Sequence, residues 1–280
     1  MARVRGPFAT TTRWPLSAFM NRHSFLKLMI ILGVASVASG GTSAAEEVHP
    51  ARCYELRTYY AAAGKLDALH SRFRDHTTAL FIKHGMSNVG YWVPKDNAEN
   101  KLIYLLSYPD LAAREASWKA FLADPDWKTA QAASEVDGKL VEKVESRFLT
   151  LTDFSPELKE DSDATPHVFE LRTYTATTGN LPLLLDRFRQ HTLMLFTRHG
   201  MEHVAYFTPA VGQPGEKDTL IYLLKHKSVE AQKISFEAFR ADPEWVKVKE
   251  DSEKAGGGSL TIPDGVKSET LVATDYSPIK

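Results

Sequence analysis

The two halves of this 280-residue sequence repeat each other, and this repeat limits the possible folds more than any other feature. Of the 41 residues in Tyr54–Pro94, 22 are identical in Phe169–Pro209, 115 positions later. Solenoid repeats are about 20–50 residues long, so this longer period predicts two small domains. Function is then expected where the two copies meet, or in a pocket that each copy repeats.

The matching blocks extend through both copies, and their spacing changes only between blocks. Leu102–Leu106 matches Leu220–Leu224 at an offset of 118, and Thr152–Pro156 resembles Thr274–Pro278 at an offset of 122. Such changes of length are tolerated in loops, so the blocks themselves are expected to be helices and strands.

These blocks also give the domain boundaries. We predict a first domain over residues 53–154 and a second over residues 168–276. Residues 155–166 contain two prolines, several charged residues and no aromatic residue, a composition typical of an exposed linker.

The N-terminal segment has the composition of a targeting sequence. Residues 1–45 contain five basic and no acidic residues, and the apolar run Leu28–Ala38 leads to small residues that end at Ala45. This pattern predicts a signal peptide cleaved near Ala45, since the run is too short for a spanning helix of about 20 residues. The protein is then periplasmic or secreted; a mitochondrial transit peptide is the alternative. Either Met1 or Met20 can be the true start.

The charge and cysteine content exclude several classes of function. The expected mature chain has 29 basic and 35 acidic residues, a balance that disfavours nucleic acid and anionic membranes as partners. Cys53 is the only cysteine, so no intramolecular disulfide can form, and its place on a predicted strand favours a buried thiol. No cysteine, histidine and carboxylate cluster has metal-ligand spacing, so we expect no metal.

Within each copy the apolar pattern predicts the order β-α-β-β-α-β, a ferredoxin-like domain. In the first copy the predicted elements are strand Cys53–Tyr60, helix Lys65–His84, strands Ser87–Pro94 and Lys101–Tyr108, helix Asp110–Ala123, a short helix from Asp124 and strand Glu145–Asp153. Helices cover only one face of such a sheet, so the two open faces are expected to close on each other. The predicted fold class is therefore α+β, with two ferredoxin-like domains forming a pseudo-dimeric α/β barrel within one chain.

Four motifs taken together resemble the NIPSNAP family. They are Tyr-Glu-Leu-Arg-Thr-Tyr, a helix that ends in His-Gly-Met, a following strand with Tyr-Trp or Tyr-Phe, and Asp-Pro-x-Trp. The resemblance covers both copies and implies a dimeric α/β-barrel fold, whose relatives include cofactor-independent monooxygenases, haem-binding enzymes and proteins without known activity. It implies no agreed catalytic residues. The secretion signal and the duplication depart from a simple one-domain cytoplasmic member.

Two charged residues on the first strand of each copy are candidate ligand-binding residues. Glu55 and Arg57, with Glu170 and Arg172, alternate with apolar neighbours. If those neighbours face the helices, the four charges point into the barrel. Arginine there could bind a carboxylate or another anion. The alternative is two structural Glu–Arg pairs, because buried ions tend to be paired.

Two histidines are the other candidates. His76 and His191 are predicted to lie on the apolar stripe of the first helix in each copy, where histidine can act as a base, haem ligand or proton shuttle. The alternative is a boundary histidine with a backbone hydrogen bond.

The remaining basic residues of this helix have simpler interpretations. His84 and His199 precede glycines and are expected to stabilise the negative end of the helix. Solvation explains the arginines that flank the histidines. These are Arg72, Arg74, Arg187 and Arg189.

The leading functional interpretation is an exported protein that binds a small molecule or a protein partner in or near the barrel, without a cofactor. One alternative is an enzyme resembling the barrel monooxygenases, acting on an aromatic substrate through His76 or His191 and tyrosine residues. The other is a protein that binds haem through one of those histidines. We expect no nucleic-acid partner and no membrane association after signal cleavage. Further homo-oligomerisation stays open, and the sequence does not identify the ligand.

Overall fold

The computed structural model describes residues 52–161 and 165–280. The predicted signal peptide and both candidate start residues lie outside these ranges. Within the described ranges, no helix is both long enough and apolar enough to cross a bilayer.

Both copies have the predicted order of elements. The first contains β1 (Cys53–Ala61), α1 (Leu66–Arg72), a π-helical turn (Phe73–Thr77), α2 (Thr78–Lys83), β2 (Ser87–Pro94), β3 (Lys101–Tyr108), α3 (Leu111–Ala123), α4 (Pro125–Ser134) and β4 (Val141–Leu151). The second contains β5 (Val168–Ala176), α5 (Leu181–Arg187), a π-helical turn (Phe188–Thr192), α6 (Leu193–Arg198), β6 (Glu202–Pro209), β7 (Thr219–His226), α7 (Val229–Ala241), α8 (Pro243–Ala255) and β8 (Thr261–Ala273).

The eight strands form one closed antiparallel barrel in the order β1-β3-β2-β8-β5-β7-β6-β4. Each copy supplies a four-stranded sheet. The copies join where β2 pairs with β8, with Trp92 opposite Ala273, and where β4 pairs with β6, with Leu149 opposite Pro209. The predicted pseudo-dimeric α/β barrel is confirmed, with closure making every strand edge internal.

The centre of the barrel is apolar and filled. Trp92 of one copy lies 5.7 Å from Phe169 of the other, ring centre to ring centre. Tyr54 and Leu56 of β1 face this interior, which holds a cavity of only about 20 Å³ lined entirely by apolar residues. That volume suits one water molecule at most, so the central interior is not a ligand site.

The expectation that the charged residues of β1 and β5 point into the barrel is therefore wrong. Because side chains alternate along a strand, Tyr54 and Leu56 inside place Glu55 and Arg57 in the layer between sheet and helices. Both faces of β1 are buried, so burial alone does not decide the orientation. Hydrogen-bond donors for Glu55 come from α3, which favours the helix-facing side.

The end of each copy packs on the other copy. Tyr276 follows β8, yet its ring lies 5.3 Å from that of Tyr91 in the first copy. Likewise Phe154 lies 5.6 Å from Tyr206 in the second. Outside these rings Asp275 forms an ion pair with Arg74, at 2.6 Å, and Asp153 forms one with Arg189, at 2.8 Å. We call these two chain segments, Thr152–Pro156 and Thr274–Pro278, the crossover segments.

The predicted linker is only partly exposed. Leu158 packs against the apolar barrel interior. Lys225 of β7 donates to Asp161 at 2.5 Å, which ties the segment to the second sheet.

His84 and His199 end their helices as predicted, each followed by a glycine with positive φ, at 78° and 77°. The sequence does not reveal their partners. His84 Nε2 lies 2.6 Å from a carboxylate oxygen of Asp124, the residue that caps α4. Its counterpart His199 makes the same contact with the cap of α8 at 2.8 Å. The His-Gly-Met and Asp-Pro-x-Trp motifs thus contact each other, through the histidine of the first and the aspartate of the second.

Candidate functional site

In the first copy Glu55 is the centre of a saturated hydrogen-bond network between the sheet and α3. It has no exposed surface and accepts from Arg57, from Arg114 at 2.8 and 3.0 Å, and from Ser146 at 2.7 Å. Burial alone would raise the pKa of Glu55, but the bonds from Arg114 and Ser146 and the charge of Arg57 lower it to about 2. Two arginines therefore hold one buried carboxylate.

The second copy builds the same network with fewer cations. Glu170 accepts from Arg172, from Ser268 and from His226 Nε2, the last at 3.2 Å. Burial opposes ionisation here too, yet these partners lower the pKa of Glu170 to about 2. Gln232 replaces the second arginine and instead accepts from Thr270. Within the described residues, Arg172 Nε has no hydrogen-bond acceptor.

Beside each network lies a pocket between the sheet and the helices. The pocket of the first copy has a volume of about 260 Å³ and that of the second about 600 Å³. Equivalent positions line both pockets, so they are two versions of one site. The shared positions are Tyr59 and Tyr174, Arg72 and Arg187, Phe121 and Phe239, Trp127 and Trp245, and Glu135 and Glu253.

Arg72 and Arg187 differ in what neutralises them. Arg72 donates to Glu135 at 2.8 Å. Arg187 forms no ion pair with any described residue, because the equivalent Glu253 is held by Lys249 at 2.7 Å. Arg187 donates to Ser252 at 3.3 Å, and its guanidinium lies 5.1 Å from the ring of Trp245.

Arg187 is therefore a buried cation that forms no ion pair with any described residue, although the charge of Glu253 acts on it from a greater distance. Only 7% of its surface is exposed, and its Nε has no acceptor among the described residues. Burial lowers its pKa. The expectation that Arg72 and Arg187 are solvated is wrong for both, because both are buried. Arg74 and Arg189, two residues further along, point to the opposite side of the helix and are exposed.

Substitutions at the rim enlarge the second pocket and change its charge. Phe236 replaces the larger Trp118, and Arg240 replaces Leu122. The lining of the first pocket has two cations and two carboxylates, whereas that of the second has four cations and two carboxylates. The second pocket therefore favours an anion, and its aromatic walls favour an apolar body.

The two candidate histidines lie elsewhere. His76 is exposed and His191 is half-buried, and neither lines either pocket. Both occur in the π-helical turns, which fit one extra residue into the helix. The extra residue places Thr77 on the buried side and turns His76 toward solvent, so the predicted position of His76 on the apolar stripe is wrong.

Sequence reasoning missed the side chains that shape the pockets. Arg187 was noted in the sequence, but its burial depends on the packing of α5 against α8. The sequence did contain one sign of this difference. Glu135 of the first copy corresponds to Glu253 of the second, but Gln131 is replaced by Lys249. Lys249 lies one helical turn before Glu253 and can pair with it. Among the described residues, no group of three or more histidine, cysteine or carboxylate side chains is placed to hold a metal ion.

A family model for NIPSNAP matches the chain twice, over residues 54–156 and 169–278. The chain belongs to the NIPSNAP family. It contains two tandem NIPSNAP domains, which confirms the predicted resemblance. None of the curated proteins matches it.

Some solved structures resemble this NIPSNAP chain over most of its length, and others over less than half of it. A candidate monooxygenase from Fusobacterium nucleatum has 9% identity and a TM-score of 0.54, over 80% of this chain and 93% of its own. A second candidate monooxygenase, from Lactobacillus acidophilus, has 11% identity and a TM-score of 0.50, over 81% and 98%. A NIPSNAP domain protein from Burkholderia xenovorans has 26% identity and a TM-score of 0.33, over 38% and 99%. At such identities the two larger proteins show a shared fold and nothing more.

Proposed function

We propose that this NIPSNAP protein binds a small molecule with an anionic group and an apolar body, in the sheet–helix pocket of its second copy. The observation that carries the proposal is Arg187, a buried cation on the wall of that pocket that forms no ion pair with any residue described by the structure. An anionic ligand would form the direct ion pair that Arg187 does not form with any described residue. Its apolar body would contact Trp245, Phe239 and Phe236.

The first copy supports this proposal as an internal comparison. Its arginine is already neutralised by Glu135, and its pocket is less than half as large. A buried ion pair needs no further partner, whereas a buried unpaired charge is costly. We therefore assign ligand binding to the second copy and a structural role to the first.

The test uses a matched pair of probes, 1-naphthaleneacetate and the neutral 1-naphthaleneacetamide, titrated calorimetrically into the mature protein. We expect the carboxylate to bind at least ten times more tightly than the amide, and Arg187→Met to remove that preference. The matched control Arg72→Met should bind the carboxylate like the wild type. Equal affinity for the two probes, or carboxylate binding that survives in Arg187→Met, would contradict the proposal.

We also propose that the protein is exported, on the basis of its basic and then apolar N-terminal segment. N-terminal sequencing of protein recovered from the periplasm or medium should start within a few residues of Glu46. A recovered chain that still carries Leu28–Ala38 would exclude this route.

Monooxygenase activity and haem binding have weaker support. The monooxygenase interpretation draws on shared fold alone, and both alternatives depended on His76 or His191, which line neither pocket. Haem titration provides a check, because a haem protein would develop a Soret band.

A further inference from the structure

One end of the barrel interior is polar, in contrast to its filled centre. Directly paired residues of antiparallel strands project from the same face of a sheet. Arg147 of β4 pairs with the inward-facing Leu56, and Lys267 of β8 pairs with Thr173. Charged and hydroxyl side chains therefore continue the inner surface toward this end, which we call the barrel mouth.

The first copy fills its half of the barrel mouth. The hydroxyl of Tyr60 donates to Glu145 at 3.2 Å. Lys101 forms ion pairs with Glu99 at 2.6 Å and with Glu269 at 3.2 Å. These side chains neutralise one another, so this half needs no ligand.

The second copy leaves its half of the mouth open. Thr175 and Thr219 stand where the first copy has Tyr60 and Lys101, and a cavity of about 630 Å³ lies beside them. The loop between β6 and β7 has nine residues, against six between β2 and β3, and its segment Gln213–Gly215 forms part of the wall. Smaller side chains and a longer loop both enlarge this one half.

The open half also contains two exposed cations that form no ion pair among the described residues. Arg147 and Lys267 both line the cavity, and neither forms an ion pair with any residue that the structure describes. Glu145 lines it too, but its carboxylate is already bound by Lys143 and Tyr60. The remaining lining is mostly hydroxyl, amide and proline, without an aromatic ring. The other lining residues are Ser146, Thr173, Thr175, Pro209, Gln213, Pro214, Gly215 and Thr219.

We propose that the open half of the barrel mouth is a second binding site, which takes a small hydroxyl-rich phosphate such as a sugar phosphate. Arg147 and Lys267 are suited to the phosphate, because guanidinium and ammonium groups are the usual phosphate-binding side chains. Thr173 and Thr175 can donate to and accept from the hydroxyl groups. Thr219 can accept from them, since its own hydroxyl donates to Asp218 at 2.7 Å. The volume lies within the range of small-molecule sites, about 300–1,000 Å³.

This site is distinct in chemistry from the sheet–helix pocket. The sheet–helix pocket presents aromatic rings to an apolar body, whereas the barrel mouth presents hydroxyl groups. The proposal does not depend on ligand binding at Arg187.

The test titrates glucose 6-phosphate, glucose and inorganic phosphate separately into the mature chain by calorimetry. We expect glucose 6-phosphate to bind at least ten times more tightly than either glucose or inorganic phosphate. Arg147→Gln and Lys267→Gln should each weaken it at least tenfold. Lys233→Gln, which removes an exposed lysine of α7, should leave it unchanged.

A further variant fills the open half with a side chain of the closed one. Thr175→Tyr introduces the larger residue of the first copy, and it should weaken glucose 6-phosphate binding at least tenfold while its far-UV circular dichroism stays that of the wild type. Absence of glucose 6-phosphate binding to the wild type would overturn the proposal. So would equal binding of inorganic phosphate, or full binding by Thr175→Tyr.

Discussion

At the scale of single residues, the duplication gives each buried charge an internal reference. Arg72 and Arg187 occupy equivalent positions, yet among the described residues only Arg72 forms an ion pair with a carboxylate. Glu55 and Glu170 are likewise equivalent, and both stay ionised through hydrogen bonds from neighbours. Features shared by the two copies are therefore attributed to the fold, and features found in one copy are attributed to that copy alone.

The two buried glutamates predict how stability depends on pH. Their pKa values fall from 4.5 to about 2 on folding, so the unfolded state binds more protons between these values. Their contribution is complete above about pH 4.5 and is lost as the pH falls toward 2, by roughly 3 kcal/mol for each carboxylate. Urea unfolding at pH 7 and pH 3 should show the loss, and Glu55→Gln should reduce the difference between the two pH values. A variant with the wild-type difference would show that Glu55 does not cause the effect.

The charged residues of the site could be found from sequence, but their surroundings could not. The repeated Glu-x-Arg pattern identified Glu55 and Glu170 as buried or functional. Their donors lie more than 50 residues away in the chain, such as Arg114 of α3 for Glu55 and His226 of β7 for Glu170. Arg187 is missed for the same reason, since its burial and its lack of a partner depend on α8.

At the scale of elements, the π-helical turns are the main departure from the predicted helices. A turn with one extra residue changes which side chains face the sheet, and sequence periodicity assumes a constant 3.6 residues per turn. In the first copy Thr77 becomes buried, and its hydroxyl donates to the carbonyl of Arg72 at 3.1 Å. Thr192 makes the same bond to Arg187.

This bond predicts a difference between two neighbouring positions. Thr77→Val keeps the shape but removes the donor, so it should lower the free energy of unfolding by about 1 kcal/mol. His76→Ala changes an exposed side chain and should stay within about 0.5 kcal/mol of the wild type. Urea denaturation measures both. Equal effects would mean that the π-helical turn does not depend on the threonine hydroxyl.

At the scale of the whole molecule, the crossover segments make each half depend on the other. Tyr276 stacks on Phe73 and packs at a tilt against Tyr91, although it belongs in sequence to the second copy. Phe154 covers the corresponding surface of the second copy. Each hydrophobic core is completed by a residue that follows the last strand of the opposite sheet.

The crossover predicts that a mutation in one copy loosens the other. Tyr276→Ala should cost roughly 2–3 kcal/mol, below the roughly 3–5 of a fully buried aromatic ring, because Tyr276 is half-buried. Hydrogen exchange should quicken in Leu66–Lys83 of the first copy and stay unchanged in the equivalent helix of the second. Phe154→Ala should give the reverse. Faster exchange confined to the copy that carries the mutation would contradict the crossover.

The barrel was predictable from the sequence, and the crossover was not. The repeat and the order β-α-β-β-α-β leave each sheet with one open apolar face, and a second identical sheet is the nearest cover. Tyr276, in contrast, lies on a segment after the last strand, and nothing in its local sequence says which helix it meets. Such contacts are set by closure of the barrel as a whole.

The absence of an ion pair at Arg187, among the described residues, bears on which substitutions a fused pair of domains can tolerate during evolution. In a barrel assembled from two identical chains, every substitution is present twice, so an unpaired buried arginine would weaken both halves at once. Joining the halves in a single polypeptide limits that burden to one place, while Arg72 and Glu135 keep the other half intact. The fusion thus allows substitutions in one copy while the other copy keeps the ion pair that stabilises the shared fold.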